Sequence, residues 1–166
     1  MITVETSTST ETTSPAICRL EAELGTLMRR AREVHRTLAE EVHPDLGPTG
    51  YLTLARLVDA GPLRAAELVD YFGLDKGAVS RQLTHLESLG LIRRTPDPED
   101  GRAHVIAATA AGEQRRAAAR DRQRLRLRNH ISTWDSRYID DLADLLHEFN
   151  ASMESAPATP GGLRTR

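Results

Sequence analysis

The 166-residue chain holds one cysteine, one tryptophan, two phenylalanines and three tyrosines, and it has neither a long apolar run nor an excess of basic charge. A single thiol, Cys18, excludes an intramolecular disulfide framework and fits a reducing compartment. No stretch approaches the ~18 consecutive apolar residues of a membrane-spanning helix. The N-terminus also lacks the basic start and apolar run of a secretory signal, so a cytoplasmic protein with no membrane partner is expected. With a formal net charge of -2, any binding of nucleic acid has to come from basic groups gathered on one face. The six histidines (His35, His43, His85, His104, His130 and His147) form no close pair at metal-ligand spacing, so no metal is expected. Nucleophile elbow, phosphate loop and dinucleotide fingerprint are all missing, and the carboxylates show no catalytic pairing. Neither an enzyme nor a bound cofactor is expected.

What the chain does contain is aliphatic helix-forming material. Apolar residues make up 39% against 4% aromatics, with abundant Ala, Leu, Glu and Arg, which favours helices packed through aliphatic side chains. The length suits one folded domain, expected over residues 15–154, between polar tails at 1–14 and 155–166 that have little to bury. Apolar residues recur at helical spacing from Ile17 to Val34 and Leu38, and Pro44 stops the run. A short second helix around Leu52 to Val58 ends at Gly61-Pro62, and a third spans roughly Arg64 to Tyr71 before Gly73. Asp75 is a plausible N-cap for a fourth helix with Val79, Leu83, Leu86 and Leu89 inward, ending at Gly90. The runs LIRRTP and RAHVIAAT flank the turn-rich DPEDG and read as a two-stranded hairpin. Two more helices follow, about 110–131 and 134–153, the last capped by Asp135 or Thr133. The order α-α-α-α-β-β-α-α predicts a mainly α fold with a small two-stranded β wing. It is a winged helix-turn-helix over about residues 48–109, with long helices about 17–43 and 110–153.

Leu68 and Phe72, then Gly73, then Leu74, Val79 and Leu83 supply the pattern of two short helices joined by a tight turn. At 100° per residue, burial of Val79, Leu83 and Leu86 turns Gly77, Ala78, Ser80, Arg81, Thr84 and His85 outward, with Gln82 nearer the buried edge. Small Gly77 and Ala78 allow close approach to a major groove. Ser80 and Arg81 can bond base edges or phosphates, and Lys76 at the helix start suits a phosphate. The hairpin adds Arg93 and Arg94 on its first strand and Arg102 past its tip, with Asp97 and Asp100 as candidates to orient that arginine toward a minor groove. Double-stranded DNA is therefore the expected partner. The competing reading is a helical protein-interaction module that uses a winged fold without touching DNA; it would favour an acidic or apolar face, whereas Lys76, Arg81, Arg93, Arg94 and Arg102 are basic.

The stretch from GPLRAAELVDYFGLDKGAVSRQLTHLESLGLI through RRTPDPEDGRAHVIAATAAG resembles the MarR family, in which an Asp-rich wing turn, an Arg and a Thr-x-x-Gly lead into the next helix. With the flanking helices the similarity covers most of residues 17–153. The resemblance implies a homodimer whose first and last two helices interlock, binding a pseudo-palindromic operator as a transcriptional regulator, usually a repressor. It makes Arg102 the wing arginine and Asp75 through Gly90 the recognition helix, and small aromatic or phenolic compounds the class of releasing ligand. The sequence departs from the family at Gly101, where many relatives carry a second Arg. Leu20, Leu24, Leu27, Ile139, Leu142, Leu145, Leu146 and Phe149 form apolar stripes that suit the dimer interface, packing within one chain being the alternative. Cys18 invites comparison with the peroxide-sensing branch of the family, but with no partner tyrosine in view it reads as a spectator thiol. The Arg run on the helix after the wing reads as a solvated face.

Overall fold

The computed structural model describes residues 14–97 and 104–155. Helix α1 (Pro15–Val42) starts with Pro15 in its first turn and Ser14 as N-cap, and its last turn buries Leu38, Ala39 and Val42. On its exposed surface Arg36 is flanked by Glu33 and Glu40, and the hydrogen bond from Arg36 holds the Glu33 carboxyl below the usual carboxylate range. Helix α2 (Pro48–Ala60) again begins on a proline and ends at Gly61, whose φ of 83° is open to glycine without strain.

The chain then forms a short strand, β1 (Leu63–Arg64), before α3 (Ala65–Phe72) and α4 (Lys76–Ser88). Strands β2 (Ile92–Pro96) and β3 (His104–Ala108) complete an antiparallel sheet of order β1-β3-β2. The two-stranded wing expected from the sequence is formed by β2 and β3, with β1 added as a third strand beside β3, and α3 starts one residue later than expected. Leu63 pairs with Ile106 and Arg64 with Val105, so Arg64, read as the start of a helix, belongs to the sheet edge. Two residues are too few to show the alternation by which a strand is recognised.

Helix α5 (Ala110–Ile131) follows directly, and α6 (Ser136–Ser155) closes the described chain. Asp135 caps α6 by accepting the backbone N–H of Arg137 at 3.0 Å, and the Arg137 side chain holds its carboxyl below the usual range. The chain divides into two compact units at Asp121 and Arg122, within α5. The first contains the core: Leu38, Tyr51, Leu54, Leu57, Leu68, Val79, Leu83, Leu86, Leu91, Ile92 and Ile106 are buried together. Leu54, Leu68 and Leu86 are fully buried, one from each of α2, α3 and α4, and this fixes the helix-turn-helix on α2. The described part of the second unit carries its apolar side chains on an open face, with Leu142, Leu145, Leu146 and Phe149 of α6 all exposed. No helix among the described residues is long and apolar enough to cross a membrane, and no group of three or more His, Cys, Asp or Glu gathers there.

Candidate nucleic-acid interface

The interface is built on α4. Asp75 accepts the N–H of Ala78 at 2.9 Å, satisfying a donor that the first turn would otherwise leave open, so the helix starts where the sequence predicts. Gly73, in the left-handed conformation at φ 61° and ψ 27°, makes the tight turn from α3. Val79, Leu83 and Leu86 are buried as expected, and Lys76, Gly77, Ser80, Arg81, Thr84 and His85 are exposed, with Ala78 half-buried. Between the starts of α3 and α4 lies an apolar cleft of about 220 Å³ lined by Ala65, Ala66, Val69, Lys76, Val79 and Ser80.

Side-chain bonds divide the predicted contact residues into two groups. Gln82, expected nearer the buried edge, is half-buried and donates its Nε2 proton to Thr53 Oγ1 at 2.6 Å, across to α2. His85 Nε2 lies 2.9 Å from the carbonyl oxygen of Asp45 in the α1–α2 loop. A carbonyl only accepts, so the ring carries its proton on Nε2 in this bond. Thr84 Oγ1 accepts from Arg94 Nη2 at 3.1 Å, and Arg94 Nε also stands 3.3 Å from Glu87 Oε2. The period-two alternation of β2 explains this. Arg94 shares the face of buried Ile92, which packs toward α4, whereas Arg93 points to the other face and is exposed. Among the described residues, Lys76, Ser80 and Arg81 make no side-chain bond to another element.

Arg102 and Asp100 lie outside the described residues. Asp97, expected to orient a wing arginine, is 5% exposed and accepts from Arg64 Nε at 2.6 Å, joining the wing root to the N-terminus of α3. The backbone N–H of Arg64 in turn donates to Glu67 Oε2 at 2.7 Å. Sequence reasoning missed Arg64 because its partner is 33 positions away. It also read Arg116 as part of a solvated run. Arg116 is buried at 6% exposure and donates to Asp59 Oδ2 at 2.6 Å, while Arg120 stands 3.9 Å from the same carboxylate. Of the predicted interface stripes, Leu20, Leu27, Leu142, Leu145, Leu146 and Phe149 are exposed, and Leu24 and Ile139 are half-buried.

A capped helix with an exposed basic and hydroxyl face, set on a helix-turn-helix and followed by a wing, can enter a major groove while the wing lies along the backbone. Residues 45–103 match the sequence profile of the MarR family. The HTH-type transcriptional regulator YxaD of Bacillus subtilis (strain 168) is 34% identical over 131 residues, 79% of this chain and 90% of that protein. The chain belongs to the MarR family. Like other MarR proteins it is a DNA-binding transcriptional regulator. The HTH-type transcriptional repressor NicR of Pseudomonas putida is 28% identical over 92 residues, 54% of this chain and 58% of that protein. A cysteine-to-serine mutant of Escherichia coli MarR, solved in complex with operator DNA, shares the fold with a TM-score of 0.55 and 24% identity, over 76% of this chain and 93% of that one.

The Thr-x-x-Gly signature of the MarR stretch has a structural cause here. Thr109 Oγ1 accepts the N–H of Gly112 at 3.0 Å, which caps α5, and donates to the Gly90 carbonyl at 2.7 Å. The hydroxyl thereby ties the first turn of α5 to the end of the recognition helix.

Proposed function

We propose that the protein is a cytoplasmic repressor that binds a pseudo-palindromic operator as a homodimer. One recognition helix enters each half-site, and a small aromatic or phenolic ligand releases the dimer from DNA. The observation that carries this reading is the exposed run Lys76, Gly77, Ser80 and Arg81 on a capped helix, with Arg93 exposed on the adjacent wing strand. Lys76 and Arg81 place positive charge on the exposed face of α4 in a chain whose net charge is -2, as groove binding requires. NicR is a repressor by name and the E. coli MarR mutant was crystallised on its operator, which supports the same role here. Dimerisation is supported by the uncovered apolar side chains of α1 and α6, since Leu20, Leu27, Leu142 and Leu145 face solvent in a single chain. Helices α1, α5 and α6 then serve as dimerisation helices, and Arg102 is the wing residue assigned to the flanking minor groove.

The experiment is selection from a pool of random duplexes by the purified chain, repeated across a salt series. The expected result is an enriched inverted repeat whose half-sites are ~10 base pairs apart, bound less tightly as salt rises. No binding at low salt would overturn the reading, and so would salt-sensitive binding without enrichment.

A further inference from the structure

The recognition helix does not offer its polar residues equally. Three of them, in its second half, are bonded to three different elements of the same chain. Gln82 is held by Thr53 of α2, His85 by the Asp45 carbonyl of the α1–α2 loop, and Thr84 by Arg94 of β2. Each of these side chains is thereby held in one direction by a bond already made in the free protein, with one of its polar atoms engaged. Ser80 and Arg81 are held by no such bond among the described residues. The Arg81 head also lies back along the first turn: a Cβ on Gly77 would stand 3.3 Å from Arg81 Nη1 and 3.1 Å from Asp75 Oδ1. Glycine at position 77 leaves that space open, so the guanidinium sits at the N-terminal end of the helix, the end that meets base edges in helix-turn-helix docking.

We propose that base reading is confined to the first two turns of α4, with Arg81 the principal specificity-determining residue and Ser80 beside it, and that Gln82, Thr84 and His85 are positioning residues. Tethers to α2, to the α1–α2 loop and to β2 set the rotation of α4 about its axis, and with it the direction in which Arg81 points. An arginine presented this way is matched by guanine, whose O6 and N7 accept two of its protons, so each half-site carries a guanine opposite Arg81. The inference rests on the operator reading above and goes beyond it by saying which residues choose the sequence.

The test is the random-duplex selection carried out side by side on the parent chain and on Arg81→Ala, Ser80→Ala, Gln82→Ala, Thr84→Val, His85→Ala and His85→Gln, with melting curves for each. The Arg81→Ala variant is expected to lose preference for guanine at one base pair of each half-site, a fall in discrimination of roughly 5- to 150-fold. Ser80→Ala is expected to alter preference at a neighbouring pair. Gln82→Ala, Thr84→Val and His85→Ala are expected to prefer the same bases as the parent, with affinity lowered most on the best site because Arg81 is held less firmly against its guanine. His85→Gln, which keeps a donor near the position of Nε2, restores the parent's affinity. A changed base preference in any of the Gln82, Thr84 or His85 variants would overturn the assignment, as would unchanged preference in Arg81→Ala. If His85→Ala does not fold, the Gln82→Ala and Thr84→Val variants decide the same question. Failure of the parent itself to enrich any sequence would defeat the operator reading, which separates that failure from a wrong choice of readers.

Discussion

At Gly112 the backbone of α5 lies so close to Leu91, the residue just before β2, that a Cβ would run into the Leu91 carbonyl oxygen. The same carbonyl accepts the N–H of Thr109 at 3.0 Å, so the start of α5 is held in place from both sides. Leu91 is backbone in a buried position and cannot swing aside as a flexible side chain would. The variant Gly112→Ala is therefore expected to destabilise the chain by about 1–3 kcal/mol through overpacking, despite alanine's better helix propensity. Urea denaturation measures this, and a midpoint equal to or above the parent's would show that the backbone gives way.

Thr109 makes a gentler probe of the same junction. Thr109→Ala removes the cap on Gly112 and the bond to the Gly90 carbonyl, and is expected to cost about 1 kcal/mol. Thr109→Ser keeps the hydroxyl and should recover most of that stability. Equal losses in both variants would assign the effect to the methyl group rather than the hydrogen bonds.

Much of this frame is legible in the sequence because it is local. Asp75 at a helix start, Gly73 and Gly61 at helix ends, and leucines at 3.6-residue spacing each act within a turn or two of their own position. The alternation of β2 was equally open to reading. Arg94 stands two residues from Ile92, so its side chain shares the buried face, while Arg93 is the exposed arginine of the strand. What could not be read were pairings across long separations. Thr53 with Gln82, Asp45 with His85, Arg64 with Asp97 and Asp59 with Arg116 are 29 to 57 positions apart, and nothing in either partner's neighbourhood announces the other. The site was thus visible as a list of polar residues on one helix face, and the division of that list into free and tethered members was not.

The buried Arg116 shows how such a pairing responds to mutation. Its guanidinium is almost wholly removed from water, and Nε has no hydrogen-bond partner among the described residues, while Asp59 is more than half exposed. Removing the acid leaves a buried charge, so Asp59→Ala is expected to destabilise by about 3 kcal/mol, with Arg120 offering no substitute. Arg116→Met fills similar volume without a charge and is expected to be neutral or mildly stabilising. Thermal melts of the two variants give the comparison, and a greater loss in Arg116→Met than in Asp59→Ala would refute this view of the pair.

Arg64 and Asp97 pose the reverse case, an exposed cation on a buried carboxylate. Arg64 is half in water, which weakens the attraction, but Asp97 is not, and loss of its partner strips a bond from a buried acceptor. Arg64→Ala and Asp97→Ala are expected to be coupled by about 0.5–2 kcal/mol in a double-mutant cycle of stability. Additive effects within ~0.3 kcal/mol would mean that the wing root is held by other contacts.

The apolar face of α6 yields the prediction that reaches furthest into function. Leu145 is 65% exposed in the single chain, so Leu145→Glu removes little from the folded protomer and exchanges one solvated side chain for another. In a dimer built on that face, the same change puts a charge into an apolar contact with no partner to neutralise it. Sedimentation is therefore expected to show the parent as a dimer and Leu145→Glu as a folded monomer with unchanged helicity. The monomer engages only one half-site, and losing the second costs about 10²-fold or more in operator affinity without any altered contact to DNA. A variant that stays dimeric and binds as the parent does would place the interface elsewhere, whereas one that becomes monomeric with full affinity would show that the two half-sites are read independently.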